Sequence, residues 1–127
     1  MIDGSAATAV CLTQDGFDLL PTDLTAPVLL RSEVLAAIQA MEWRREISKD
    51  LAEVGAQRLF AAPILLIRRL EVYQEARRLA GQLGWAKTYD AEYVALARLT
   101  EAPLLTVDHR LASRVRTLIE VRFPEEL

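Results

Sequence analysis

Four carboxylates in this sequence stand where an open α/β sheet sets its reactive groups. Asp3 opens the run Asp3-Gly4-Ser5, directly after the first apolar residues. Glu33 lies in Leu29-Leu30-Arg31-Ser32-Glu33-Val34, just past a short strand pattern ending near Pro27. Asp90 precedes a helical pattern in Thr88-Tyr89-Asp90-Ala91, and Asp108 ends the strand pattern Leu104-Leu105-Thr106-Val107-Asp108. Ligands of such folds gather at the carboxyl ends of the strands. Four acids meeting there would repel one another unless a hard cation lay between them, and carboxylate oxygens suit Mg²⁺ or Mn²⁺. The chemistry implied is metal-dependent attack on a phosphate ester. Asp3, Asp90 and Asp108 are the expected ligands, direct or through water. Glu33 is either a further ligand or the base that orients the attacking water.

Each acid also has a plainer reading. Asp90 and Asp108 both precede helices and could serve only as N-caps. Asp3 could be a polar residue ending a strand, and Glu33, beside the apolar stripe of its helix, part of a solvated face. Their common place at one sheet edge favours a site. Other acid-based chemistries lack their partners. An aspartyl phosphatase would want a second Asp two residues after the first, where Ser5 stands. A phosphoacceptor module would want paired acids after its first strand and a late Lys. There is no Gly-rich phosphate loop. His109 is the only histidine, which argues against histidine-built zinc sites and leaves a Ser-His-Asp triad without a nucleophile-elbow motif; a surface place beside Asp108 is expected for it.

The elements that must position these acids alternate between strand and helix. Met1 to Asp3 reads as a strand end and Ser5 to Leu12 as a helix. Gln14-Asp15-Gly16 is a turn signal, and Leu24 to Pro27 a short strand. From Val28 to about Arg45, Leu30, Val34, Ile38 and Met41 recur at helical spacing. Ser48 is placed to cap a helix from Lys49 to Ala62. Pro63 to Ile67 is a buried-strand signal. Arg69 to Leu83 is helical, with Gly84 as its stop. Further helices are expected over Ala91–Thr100, capped by Asp90, and over Arg110–Val115. Pro103–Val107 reads as a parallel strand, Thr117–Val121 as an edge strand and Pro124–Leu127 as a loose tail. This alternation predicts an α/β fold, a parallel sheet with helices on both faces.

At 127 residues and 52% hydrophobic content, the chain fits one domain, 1–127, with a sizeable core. A net charge of −3 is a poor match to a protein that coats nucleic acid nonspecifically. It leaves room for a small basic rim around an acidic pocket and suits a basic protein partner. The single Cys11 falls in an apolar helical stretch and reads as a buried thiol in a reducing compartment. No secretory signal is present, and no apolar run approaches the ~18 residues of a membrane span. A soluble, cytoplasmic protein is expected.

Together, Asp3-Gly4-Ser5, Leu30-Arg31-Ser32-Glu33-Val34, Thr88 to Ala97 and Pro103 to Ala112 resemble the PIN-domain nucleases, and within them the VapC-type toxins of toxin–antitoxin modules. The resemblance covers nearly the whole chain, and Thr88 to Ala112 is its most specific part. It implies a three-layer α/β/α fold around a short parallel sheet and Mg²⁺- or Mn²⁺-dependent cleavage of RNA. The family's acid positions fall on Asp3, Glu33, Asp90 and Asp108. Its hydroxyl positions fall on Ser5 and Thr106, which would orient a carboxylate or a water. The resemblance also implies a homodimer and a small antitoxin whose C-terminal segment enters a groove near the site. Arg31, Lys87, Arg110 and Arg114 are candidates for guiding RNA phosphates. The stripe Leu30, Val34, Ile38, with Trp43 beyond it, is a candidate surface for self-association.

Two departures stand out. Only Met1 and Ile2 precede Asp3, where the family has more apolar residues. Either the start lies upstream or the strand is shortened, which would leave Asp3 poorly anchored. The stretch from Ser5 to Glu33 is also short, so an early helix is expected to be reduced. The rival readings are a PIN-like binding protein acting through antitoxin or operator-complex assembly, and a DNA-cleaving nuclease with the same metal chemistry.

Overall fold

The first three residues determine how the rest of the backbone is arranged. In the computed structural model, which describes residues 1–126, strands β1 (Leu24–Pro27) and β2 (Ile64–Ile67) form one parallel pair, with Leu24 opposite Ile64. Strands β3 (Leu104–Leu105) and β4 (Val121–Arg122) form another, with Leu104 opposite Val121. Met1 to Asp3 run between the pairs. Ile2 N donates to Thr25 O at 3.0 Å on one side, and on the other Leu105 N donates to Met1 O at 2.8 Å and Asp3 N to Leu105 O at 3.1 Å. The order across the sheet is therefore β2, β1, Met1–Asp3, β3, β4.

The helices divide into two groups about this sheet. One is α1 (Gly4–Cys11), α2 (Leu29–Trp43) and α3 (Lys49–Phe60), which pack on one another. The other is α4 (Leu70–Leu83) laid against α5 (Tyr89–Thr100), and α6 (His109–Val115) links β3 to β4. This is a small α/β, PIN-like fold. Leu30, Val34 and Ile38, at spacings of four, put the inner face of α2 into the core. Ser48 Oγ caps α3 by accepting from Leu51 N at 3.0 Å. Gly84, at φ 71°, takes the left-handed conformation that ends α4. Among the described residues no helix is long and apolar enough to cross a membrane.

Several expectations shift. The edge strand lies at Val121–Arg122, not Thr117–Val121, because Leu118 N and Ile119 N turn back onto Val115 O at the end of α6. Strand β3 is only two residues long; Thr106 N still donates to Arg122 O, but the next NH groups, of Val107 and Asp108, turn to the hydroxyls of Ser5 and Thr106. Asp90 does not cap α5. That helix starts at Tyr89, with Thr88 at the cap position, and Asp90 lies in its first turn with its carboxylate free of capping. The stripe Leu30, Val34, Ile38 is buried inside this one chain, so it offers nothing to a second copy; of that group only Trp43 is exposed, at 81%. Between Cys11 and Leu24 the chain forms turns and bends without a helix, as the short spacing implied. Pro124–Glu126 form a 3₁₀ turn, and the last residue of the expected tail, Leu127, lies outside the described residues. Cys11 is buried in α1, as expected.

Arg58 of α3 ties the chain after α1 in place. Its guanidinium donates to Cys11 O at 3.1 Å, to Thr13 O, and to Gln14 O at 2.9 Å. These carbonyls include one left unpaired where α1 ends, and a cation there also complements the helix dipole. Arg58→Ala should lower unfolding stability by about 2 kcal/mol, the scale of hydrogen bonds to a charged group. Arg58→Lys should recover only part of it, because an ammonium cannot fork to several carbonyls. Urea denaturation would measure both, and an unchanged midpoint for Arg58→Ala would refute the role.

Candidate active site

Asp3 is held by both its backbone and its side chain. Its NH is part of the sheet, and its extended backbone (φ −95°, ψ 176°) makes it the N-cap of α1. Oδ1 accepts from Ala6 N at 2.9 Å and from Ser5 Oγ at 2.7 Å. The residue is 3% exposed, so the short lead-in does not leave it poorly anchored. Ser5 Oγ also accepts from Val107 N at 3.2 Å and lies 3.1 Å from Thr106 Oγ1, which accepts from Asp108 N at 3.0 Å. A line of two hydroxyls thus connects the end of the Met1–Asp3 segment to the end of β3. Burial raises the Asp3 carboxyl above the ordinary range. Bonds from Ala6, Thr106 and Ser5 oppose that rise, and the Asp90 charge adds to it.

Glu33, half-buried on α2, reaches across to α1 and α5. Its Oε1 accepts from the phenol of Tyr93 at 3.0 Å and rests against Gly4. Burial raises its carboxyl; the Tyr93 bond counters this, while the charges of Asp90, Asp3 and Glu92 add to it. Asp90 is exposed as a residue, yet its carboxyl faces the cleft, where burial and then the Asp108 charge raise it. Asp108 caps α6 through Oδ1, which accepts from Arg110 N and Leu111 N, both at 3.0 Å. The capping reading therefore holds for Asp108, and Asp3, expected only to end a strand, caps α1 as well; in both, the cap bonds fix the carboxylate in place.

The four acids lie close enough to perturb one another in sequence: Asp3 with Asp90, Glu33 with both, Asp90 with Asp108. Among the described residues none of them forms an ion pair; the salt bridges engage Glu71, Glu75 and Glu120. Glu33, Asp90 and Asp108, but not Asp3, line a cleft of about 880 Å³ that Lys87, Arg110, Arg114, Trp85 and Tyr89 also line. Arg114 lies over the Trp85 ring, 5.5 Å from its centroid. Arg31 is exposed on α2 and does not line this cleft. His109 is exposed beside Asp108, as expected, and stacks on Phe123 with centroids 4.4 Å apart.

The donor set suits a hard divalent cation, being all oxygen and uncompensated in charge. Among the described residues no three side chains stand close enough to grip one ion between them. Sequence reasoning passed over three residues. Glu92, half-buried in the first turn of α5, adds its charge beside Glu33, and burial raises its own carboxyl. Tyr93 could have been noticed as a phenol on an otherwise apolar helix face. Gly4 carried no signal until Glu33 was seen against it.

No known family profile matches the chain. Curated proteins do: Ribonuclease VapC1 from each of two strains of Mycobacterium tuberculosis is 37% identical over 112 residues, spanning 87% of this chain and 79% of the relative.

The electrostatics give a measurable signature. Asp3, Glu33 and Asp90 have carboxyls raised by folding, so their contribution to stability is complete below about pH 4 and is lost as pH rises through the raised values. The metal-free melting temperature should fall from this term as pH rises above the ordinary carboxylate range, and excess Mn²⁺ should restore it. Asp108→Asn keeps the cap, since Asn caps about as well as Asp, and removes the charge that raises Asp90. It should leave metal-free stability unchanged or slightly higher while reducing the Mn²⁺ shift. A mutant with the wild-type Mn²⁺ shift would remove Asp108 from the site.

Proposed function

This chain belongs to the VapC family, and on that premise we propose that it is a divalent-metal-dependent endoribonuclease, the cytoplasmic toxin of a type II toxin–antitoxin pair. The observation that carries the reading is one cleft lined by acids that form no ion pair, Glu33, Asp90 and Asp108, together with cationic and aromatic side chains. Asp3, Asp90 and Asp108 would hold Mg²⁺ or Mn²⁺, directly or through water, and Glu33 would be a further ligand or the base. Such a cation would make a water more acidic and offset charge on the phosphate oxygens.

The chain's own residues do the rest. Ser5 and Thr106 orient the Asp3 carboxylate and the strand end that carries Asp108. Where Glu33 is not itself a ligand, it orients the attacking water and accepts its proton. Lys87, Arg110 and Arg114 guide RNA phosphates along the cleft, with Arg114 braced on the flat Trp85 ring. Arg31, outside the cleft, would meet only RNA that extends beyond it. A basic C-terminal segment of the antitoxin would complement the same acidic wall and occupy the groove in place of RNA. Self-association would use the exposed Trp43 rather than the stripe inside α2.

Two measurements test the reading. Structured RNAs incubated with the purified protein should be cleaved only with Mg²⁺ or Mn²⁺, and full activity in excess chelator would overturn it. Light scattering at high concentration should return the mass of a dimer; a single-chain mass would count against self-association.

A further inference from the structure

Glycine begins helix α1 for no reason of its own backbone. The φ of Gly4 lies outside the left-handed region, and alanine is the better helix former. The neighbour supplies the reason. A methyl group on Gly4 would fall onto Glu33 Oε1, with Glu33 Cδ at 3.1 Å and Cγ at 3.5 Å. The same oxygen accepts the Tyr93 hydroxyl at 3.0 Å. Tyr93 is fully buried, where phenylalanine would pack as well if packing were its whole role. Three helices thus meet at one carboxylate oxygen: α1, begun by Gly4 next to Asp3; α2, which carries Glu33; and α5, which carries Asp90 and Tyr93. We infer that Gly4 and Tyr93 are positioning residues, a notch and a hydrogen-bond donor that together fix the Glu33 carboxylate on the Asp3 side of the cleft. This rests on the reading of Glu33 as part of the ribonuclease site.

The atom that an added methyl group would displace is the far end of a flexible side chain. The fold can therefore absorb Gly4→Ala, while the carboxylate moves by about 1 Å, a displacement large enough to slow a positioned reaction about 100-fold. Asp is one methylene shorter than Glu. In the Gly4→Ala background, Glu33→Asp should relieve a clash that does not exist in the wild-type background.

The experiment compares wild type, Gly4→Ala, Glu33→Asp, their double variant, Tyr93→Phe and Glu33→Gln. The readouts are the metal-free melting temperature, Mn²⁺ affinity by calorimetry, and kcat and KM on a random-sequence RNA carrying a fluorophore and a quencher. Gly4→Ala should melt at or above the wild-type temperature. Its Mn²⁺ affinity and kcat should each fall by about 10- to 100-fold, the usual effect of losing a group that orients a metal-site ligand, with KM within about twofold. Tyr93→Phe should lower kcat in the same way. Glu33→Asp should lower kcat in the wild-type background and raise it in the Gly4→Ala background. A reversal of sign is something a purely structural role would not produce.

Wild-type kcat and Mn²⁺ affinity in Gly4→Ala, alongside their loss in Glu33→Gln, would overturn the notch while leaving Glu33 in the site. So would an equal effect of Glu33→Asp in both backgrounds. Wild-type behaviour in Glu33→Gln would remove Glu33 from the site, and the inference with it. If the RNA probe is not cut by wild type, the Mn²⁺ affinities decide by the same criteria, and if Tyr93→Phe does not fold, the Gly4 and Glu33 variants carry the test.

Discussion

Three backbone hydrogen bonds made by Met1, Ile2 and Asp3 join what would otherwise be two separate two-stranded ladders. Neither ladder is independently stable at two strands. The seam between them is the middle of the sheet, and every helix packs with reference to it. Asp3 is where the seam meets the site: its NH bonds β3, its carbonyl accepts from Ala7 N in α1, and its carboxylate caps that helix. A residue with three structural roles has almost no freedom to move. This makes it a suitable anchor for an acid whose ionised form is opposed by burial.

The site lies in tension with the fold that carries it. Burial raises Asp3, Glu33, Asp90 and Glu92, and mutual charge adds to the first three. Hydrogen bonds to Asp3 and the Tyr93 bond to Glu33 oppose this only in part. A core designed for stability alone would not collect uncompensated acids, and natural proteins break such rules mainly at functional sites. The sheet and the helix caps hold Asp3 and Asp108 in place, and the Tyr93 bond holds Glu33.

How much of this could be read from the sequence depended on how local each signal was. Helix α2 was legible because its apolar residues repeat at helical spacing, and α3 and α4 because Ser48 and Gly84 mark their ends. The β1 span was legible to the residue. The last strand was misplaced because Leu118 and Ile119 look like strand residues yet continue the turn from α6. The start of α5 was misread because a cap signal and a first-turn acid look alike one residue apart. The acids could be singled out because Asp3 and Asp108 follow strand patterns and Glu33 and Asp90 stand early in helical ones. The contact between Gly4 and Glu33, far apart in the chain, and the Tyr93 bond to the same oxygen, are products of packing that no local pattern encodes.

The hydroxyl pair Ser5 and Thr106 joins residues 101 positions apart. Asp3 therefore leaves the ribosome well before Thr106 and Asp108. During translation the sheet seam lacks its β3 side until Leu104 and Leu105 have been synthesised. A growing chain that has not reached Asp108 carries the earlier acids without the last of the four. A chain that acts on RNA would in this way be harmless to the message it is being read from, with its activity timed by the order of synthesis itself.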